Sequence, residues 1–221
     1  MKKSFIVSMI ISIISFVIAI GFIISNEGQI PVNWNSAGEV DRYGSSLVLF
    51  IFPAAALLTT LLIYCLPKID PKGDNIKKSG PILQILMIII ASLMLGIQIF
   101  MIMAINGANI LNMNKFILLA LGIMFIVIGY NMPRIKPNYM LGIRTPWTLY
   151  SEKVWKKTHE DSKKWFMGLG VILIISMFLP TPYNLVLSLI CVMVVTIGTI
   201  VYSYIVFARE KKTSKKTKSK K

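Results

Sequence analysis

The sequence predicts an all-α polytopic membrane protein: six transmembrane helices, both termini cytoplasmic, and a short interfacial cytoplasmic helix between spans four and five. Three observations carry that prediction. Only 15% of the 221 residues are charged while 55% are hydrophobic, against about a quarter charged in a soluble domain. The charges are also segregated, with none between Lys3 and Glu27, Arg42 and Lys68, Lys78 and Lys115, Lys115 and Arg134, or Lys164 and Arg209. A span needs about 20 apolar residues to cross the hydrocarbon, and those gaps accommodate six. Finally, all 24 basic residues except Arg42 and Lys115 fall on one side of that layout, which the positive-inside rule assigns to the cytoplasm. The net charge of +15 therefore reports topology, and direct nucleic-acid binding is not needed to explain it.

The spans are expected at about 4–25, 46–66, 81–105, 115–132, 166–180 and 185–208. Span one follows Lys2 and Lys3, but its apolar run from Phe5 to Ile24 exceeds the core of a signal peptide, and no small-residue cleavage site follows it. It is read as a retained helix. Ser4, Ser8, Ser12, Ser15 and Ala19 recur on it at helical spacing, the pattern of a close-packing seam. Thr196, Thr199 and Ser203 suggest the same for span six, and Gln84 and Gln98 are the large polar groups of span three. No charge lies inside a span, which argues against a proton-coupled pump.

The predicted outer loop reads Ile30-Pro-Val-Asn-Trp-Asn-Ser-Ala-Gly-Glu-Val-Asp-Arg-Tyr-Gly44, turn chemistry flanked by the amphipathic rings of Trp34 and Tyr43. Two readings stay open for it, an ordered connector or a recognition surface. A second outer loop is expected at Asn106-Gly-Ala-Asn, and a third at Pro180-Thr-Pro-Tyr-Asn184. The 67–80 loop is short and turn-rich. The basic tail from Arg209 has nothing to bury and is expected to be disordered against anionic lipid. By composition the chain divides into an N-terminal two-span unit (1–80, outer loop 26–45), a four-span unit (81–208) and the tail (209–221).

The 133–165 loop carries the densest chemistry. Pro133, Pro137 and Pro146 disfavour helix at the residues before them, so the chain is expected to be extended up to Thr148. From Ser151, an N-cap residue, an amphipathic helix is expected, with Val154, Trp155, Thr158 and His159 on one side. Glu152/Lys156 and Glu160/Lys164 are favourable i,i+4 pairs. The four tryptophans, Trp34, Trp147, Trp155 and Trp165, lie outside the apolar centres of the spans, as in an interfacial belt. Arg144 is either one more inside-positive residue or a bidentate donor to carboxylate or phosphate framed by Thr145 and Trp147. His159 reads as a packing histidine in preference to a base, and no nucleophile, phosphate-loop or metal spacing accompanies it. One histidine and two cysteines, Cys65 and Cys191, both in or at the end of spans, predict neither metal site nor disulfide; no cofactor is expected.

The string Asn138-x-x-x-Gly142-Ile-Arg144-Thr145-Pro146-Trp147-Thr148-Leu-x-Ser151-x-x-x-Trp155-x-x-Thr158-His159 resembles the signature of the SdpI-type immunity protein family. Pro31-Val-Asn33-Trp34-Asn35-x-x-Gly38-x-x-Asp41-x-Tyr43 is similar to the outer-loop motif of the domain that usually precedes it. With Leu66-Pro-Lys-Ile-Asp-Pro71 the resemblance covers the whole layout. The sequence departs at Asn33, where the family pattern has His, and at Glu160-Asp-Ser-Lys-Lys164, where an Arg-Leu-Gly-Gly-like run is usual. The resemblance implies a non-enzymatic protein of the bacterial cytoplasmic membrane, in contact with membrane lipids, that protects the cell from a secreted toxic peptide. It further implies a toxin-sensing receptor able to hold a cytosolic repressor at the membrane. Asn33, Trp34, Asn35, Gly38, Asp41 and Tyr43 are then the candidate peptide-facing residues, and Asn138–His159 a cytoplasmic support or output. A transporter of amphipathic peptides, or a membrane enzyme using Arg144 with His159 or Glu152, are the alternatives.

Overall fold

The structure, a computed structural model, describes residues 1–26, 28–35, 39–105 and 113–218, the last five by their backbone alone. Gly38 and the expected loop at Asn106–Asn109 lie outside the described residues. The elements in chain order are α1 (Lys2–Ser25), β1 (Gln29–Trp34), β2 (Val40–Ser45), a 3-10 turn (Ser46–Phe50), α2 (Ile51–Ile69), α3 (Gly73–Lys77) and α4 (Ile82–Ile105). There follow α5 (Met113–Asn131), a 3-10 turn (Met132–Arg134), α6 (Pro146–Tyr150), α7 (Glu152–Ser176) and α8 (Tyr183–Lys218). Among the described residues, five stretches are long and apolar enough to cross a membrane: Lys2–Ser25, Ser46–Ile69, Ile82–Ile105, Met113–Arg134 and Tyr183–Thr213. The molecule is a multi-pass protein of the cell membrane.

The chain forms two compact units. The first comprises 1–65, 81–120 and 177–185. Here α1 lies along α4, and Ser8, Ser12, Ser15 and Ala19 are buried. Their small size lets the two backbones approach. At the centre of the seam Ser15 Oγ donates to Gln98 Oε1, while Gln98 Nε2 donates back to the Ser15 carbonyl at 2.9 Å. A buried glutamine is thereby satisfied in a setting where an unpaired amide would be costly. Outside the seam α1 exposes Ile10, Ile13, Val17 and Ile24, as a lipid-facing helix does.

The same unit holds the main departure from the all-helical expectation. Residues 29–34 and 40–45 pair as an antiparallel β-hairpin, with Pro31 opposite Tyr43 and register shifts on either side of Asn33. Ile30, Val32 and Trp34 alternate onto one face and join a core with Ala19, Leu49, Met101 and Met113. That burial stabilises a hairpin that marginal two-stranded pairing does not hold alone.

The second unit comprises 66–80, 121–176 and 186–221. Gly122 and Gly170 bring α5 against α7: a Cβ on Gly170 would sit 2.4 Å from the Gly122 carbonyl oxygen. Three expectations change here. The interfacial helix and the apolar stretch after Phe166 are one helix, α7, because nothing between Glu152 and Ser176 interrupts helical propagation. The face Val154, Trp155, Thr158, His159 and Ser162 is buried in protein and does not lie on a bilayer surface. Trp155, at 1% exposed, is therefore a core residue and leaves the interfacial belt. The basic tail does not begin at Arg209 either, since α8 continues through Lys218; Lys and Glu are good helix formers extending an existing helix.

Candidate functional site

Two places gather the residues of interest, one in each unit. In the hairpin the polar groups are exposed and pair with one another. Asn33 Nδ2 donates to Asp41 Oδ2 at 3.1 Å. At the turn the Asn35 backbone N–H donates to the Glu39 carbonyl at 2.9 Å, and Asn35 Nδ2 to Glu39 Oε2 at 3.1 Å. The Glu39 N–H donates to Asn35 Oδ1 at 3.0 Å. Trp34 turns inward, edge-on to Phe100, whereas Tyr43 is 56% exposed. The hairpin therefore presents Asn33, Asp41, Arg42 and Tyr43 on a braced surface, with Trp34 serving as its anchor.

In the second unit the chemistry is turned inward. Asn138 is buried. Its Oδ1 accepts from the N–H groups of Met140 (2.9 Å) and Leu141 (2.6 Å), and its Nδ2 donates to the carbonyls of Lys136 (2.7 Å) and Leu141 (3.1 Å). One side chain closes the turn that brings Gly142 beside α7. Gly142 has φ +101°, a conformation that disfavours any Cβ. A Cβ there would also meet His159 Nε2 at 2.5 Å.

His159 closes the junction. Its Nε2 accepts from the Ile143 N–H at 3.0 Å, which leaves Nδ1 as the protonated nitrogen, donating to the Trp155 carbonyl at 2.8 Å. The ring stacks on Trp155 at 4.2 Å between centroids, and Trp155 Nε1 donates to the Ile135 carbonyl at 2.8 Å. Burial holds the imidazole pKa down to about 4, against the smaller opposing effect of its bond to the Trp155 carbonyl. His159 is a neutral brace with both nitrogens engaged. Glu152, seven residues earlier, is exposed, so the two do not form a joint acid–base site.

The Thr145-Pro-Trp-Thr148 segment starts α6 where the prolines had suggested extended chain. Thr145 caps the helix, accepting from the Thr148 N–H at 3.3 Å. The Thr145 N–H donates to Thr148 Oγ1 at 2.9 Å, and Pro146 occupies the first turn, where its missing N–H costs nothing. Thr145 Oγ1 also meets Ser203 Oγ on α8 at 2.9 Å, and Trp147 packs on Tyr204. Ser151 accepts from the Val154 N–H as the expected N-cap, while its own hydroxyl donates to Glu210 Oε2 at 2.8 Å. Thr158 is buried with its hydroxyl unpartnered among the described residues. Among the described residues the ion pairs of α7 are Lys156–Glu160 and Lys157–Asp161, in place of the two expected. Arg144 is exposed, and its Nη1 donates to the Tyr139 carbonyl at 2.5 Å, clasping its own loop.

Sequence reasoning missed the opposing loop. Asp70 is buried; its carboxylate accepts from the Lys72 N–H at 2.6 Å and, across 69 residues, from the Tyr139 N–H at 2.8 Å. Ser79 Oγ accepts from the Lys136 N–H, and Asn75 Nδ2 donates to the Pro137 carbonyl at 2.7 Å. Asp-Pro-Lys-Gly is legible as a turn, but its long-range partner is not. Among the described residues no group of three or more His, Cys, Asp or Glu could hold a metal ion.

Comparison with known proteins covers both places. Residues 134–203 match the SdpI/YfhL protein family, and residues 10–57 match a domain of unknown function, DUF1648. The first contains the Asn138–His159 network, the second the hairpin. The chain is 26% identical over 204 residues to a Bacillus subtilis (strain 168) protein named Immunity protein SdpI, covering 92% of this chain and 95% of that one. No solved structure matches.

Proposed function

Since the chain belongs to the SdpI-type family, we propose that it is a membrane immunity protein, protecting the cell that carries it from a secreted antimicrobial peptide. The observation that carries this reading is the likeness to Immunity protein SdpI over nearly the full length of both chains. The charge asymmetry supports an orientation with the hairpin on the outer face and the basic loops inside. An arriving peptide then meets Asn33, Asp41, Arg42 and Tyr43. The Asn138–His159 network fixes the inner ends of α7 and α8 and, where a cytosolic repressor is held, carries the bound state to it. Such signalling requires the peptide to bind two states of the protein unequally, since equal affinity shifts nothing.

Expression in a strain sensitive to SDP-like peptide tests the reading. Survival that depends on the membrane-inserted protein is expected; unchanged killing with the protein present in the membrane overturns immunity to that peptide. Sensing is tested separately by fractionation, as toxin-dependent movement of a repressor into the membrane fraction.

A further inference from the structure

Two cations of the second unit converge on one aromatic ring. In the 3-10 turn that ends α5, the Arg134 guanidinium carbon lies 4.9 Å from the centroid of Tyr130. Lys163 Nζ, on α7, lies 5.3 Å from the same centroid. Both distances are within cation–π range. Laid end to end they bound the separation of the two charges at about 10 Å. Gly129 makes the convergence possible by letting the helices touch: a Cβ there would lie 2.8 Å from the Met167 nitrogen and 3.0 Å from the Lys163 carbonyl oxygen.

The arginine is held in place. Asn131, 1% exposed, donates from Nδ2 to the Val127 carbonyl at 2.8 Å, and its Oδ1 accepts from Arg134 Nη1 at 3.1 Å. Arg134 Nη2 reaches the Tyr130 hydroxyl at 3.5 Å. A buried amide thus fixes an exposed guanidinium that would otherwise swing in solvent. Among the described residues no carboxylate lies within ion-pair distance of Arg134 or Lys163. Like charges gathered without a counter-ion repel one another. An anion between them turns that repulsion into attraction.

The place in the fold says which anion. Arg134 is the last residue of the membrane-spanning stretch Met113–Arg134, which puts the pair at the level of the lipid headgroups. A guanidinium fork matches phosphate oxygens there. Tyr130 and Ile123, two turns apart on α5, are 51% and 46% exposed, so an apolar surface leads away from the cations along the span. A soluble anion has no use for that surface, and an acyl chain does. We propose that Arg134, Lys163 and Tyr130 form a binding site for the phosphate of an anionic phospholipid, whose acyl chain runs along α5 past Ile123.

The full chain, purified in detergent, is titrated with phosphatidylglycerol or with phosphatidylcholine of the same acyl chains, and retained lipid is counted by native mass spectrometry. Each cation beside an anionic lipid contributes about fivefold, so wild type is expected to hold one phosphatidylglycerol roughly 25-fold more tightly than phosphatidylcholine. Lys163→Gln is expected to lose about fivefold of that preference, and Arg134→Gln with Lys163→Gln nearly all of it. Should the double variant fail to insert, Lys163→Gln alone decides, since Lys163 touches the site only through the Tyr130 ring. Lys211→Gln with Lys212→Gln removes the same charge from two exposed residues of α8 and is expected to leave the preference intact. Equal retention of the two lipids by wild type overturns the site. A matching loss in the Lys211 and Lys212 variant would mean diffuse attraction and overturns it too. Displacement of the lipid by excess inorganic phosphate would make the ligand a soluble anion and overturns its assignment to lipid.

Discussion

The hairpin and the Asn138–His159 network use the same residue types to opposite ends. Both are built from asparagine, tryptophan and small turn residues in a basic, apolar chain. In the hairpin Asn33 and Asn35 brace exposed carboxylates across two strands, so the polar surface is ordered yet remains open to a ligand. In the network Asn138, Thr145, Thr148 and His159 are buried, and their hydrogen bonds go to backbone and to neighbouring helices. A buried polar group without its partner is costly, so the network is a structural lock whose members depend on one another. The hairpin surface is the part whose side chains can change without breaking such a lock.

The comparison makes its sharpest prediction at Trp155. Trp155→Ala removes the ring that fills the core and supports His159, and should cost about 3–5 kcal/mol in thermal unfolding of the reconstituted protein. A loss under 1 kcal/mol would show that α7 is not locked there. Acid comes next. The His159 pKa lies below its ordinary value, so its contribution is full above about pH 6.5 and is lost as the pH falls toward 4, where the unfolded imidazole is protonated first. Stability should drop by about 3 kcal/mol between pH 7 and 4, and His159→Gln should flatten that part of the profile.

A smaller effect is expected at Gly142→Ala, about 2–3 kcal/mol from the strained φ and the displaced imidazole. Arg144→Ala, removing one exposed clasp on the Tyr139 carbonyl, should change stability by about 1 kcal/mol or less. At the other pole, Tyr43→Ala and Asp41→Ala should shift stability by under about 0.5 kcal/mol while lowering survival in the toxin assay. If the hairpin variants lost stability and kept protection, the roles assigned to the two regions would be reversed.

Much of the site's composition was legible and little of its wiring. Ser151 as an N-cap and the Val154–His159 stripe followed from local pattern. The reading of that stripe as membrane-facing failed because amphipathicity specifies an apolar environment and does not say whether lipid or protein supplies it. Arg144 drew attention as the one arginine in a conspicuous motif, yet its donor turns back on its own loop. Asp70 figured only within the Leu66–Pro71 string, with no role of its own, although it is the buried carboxyl group on which two loops converge.

The sequence by itself determined that this is a membrane protein, and it marked the five stretches long and apolar enough to span, together with a sixth, 166–180, that is not among them. It also indicated the sidedness of its charge, since hydropathy and charge act over a single turn or span and need no partner. Tertiary structure decided that residues 29–34 and 40–45 pair as strands, that α7 runs unbroken from Glu152 into the apolar stretch, and that Asn138, Trp155 and His159 are buried. Those outcomes rest on contacts between residues far apart in the chain, such as Asp70 with Tyr139 and Ser15 with Gln98. Burial is a property of what the rest of the molecule places against a side chain, and no local pattern encodes it.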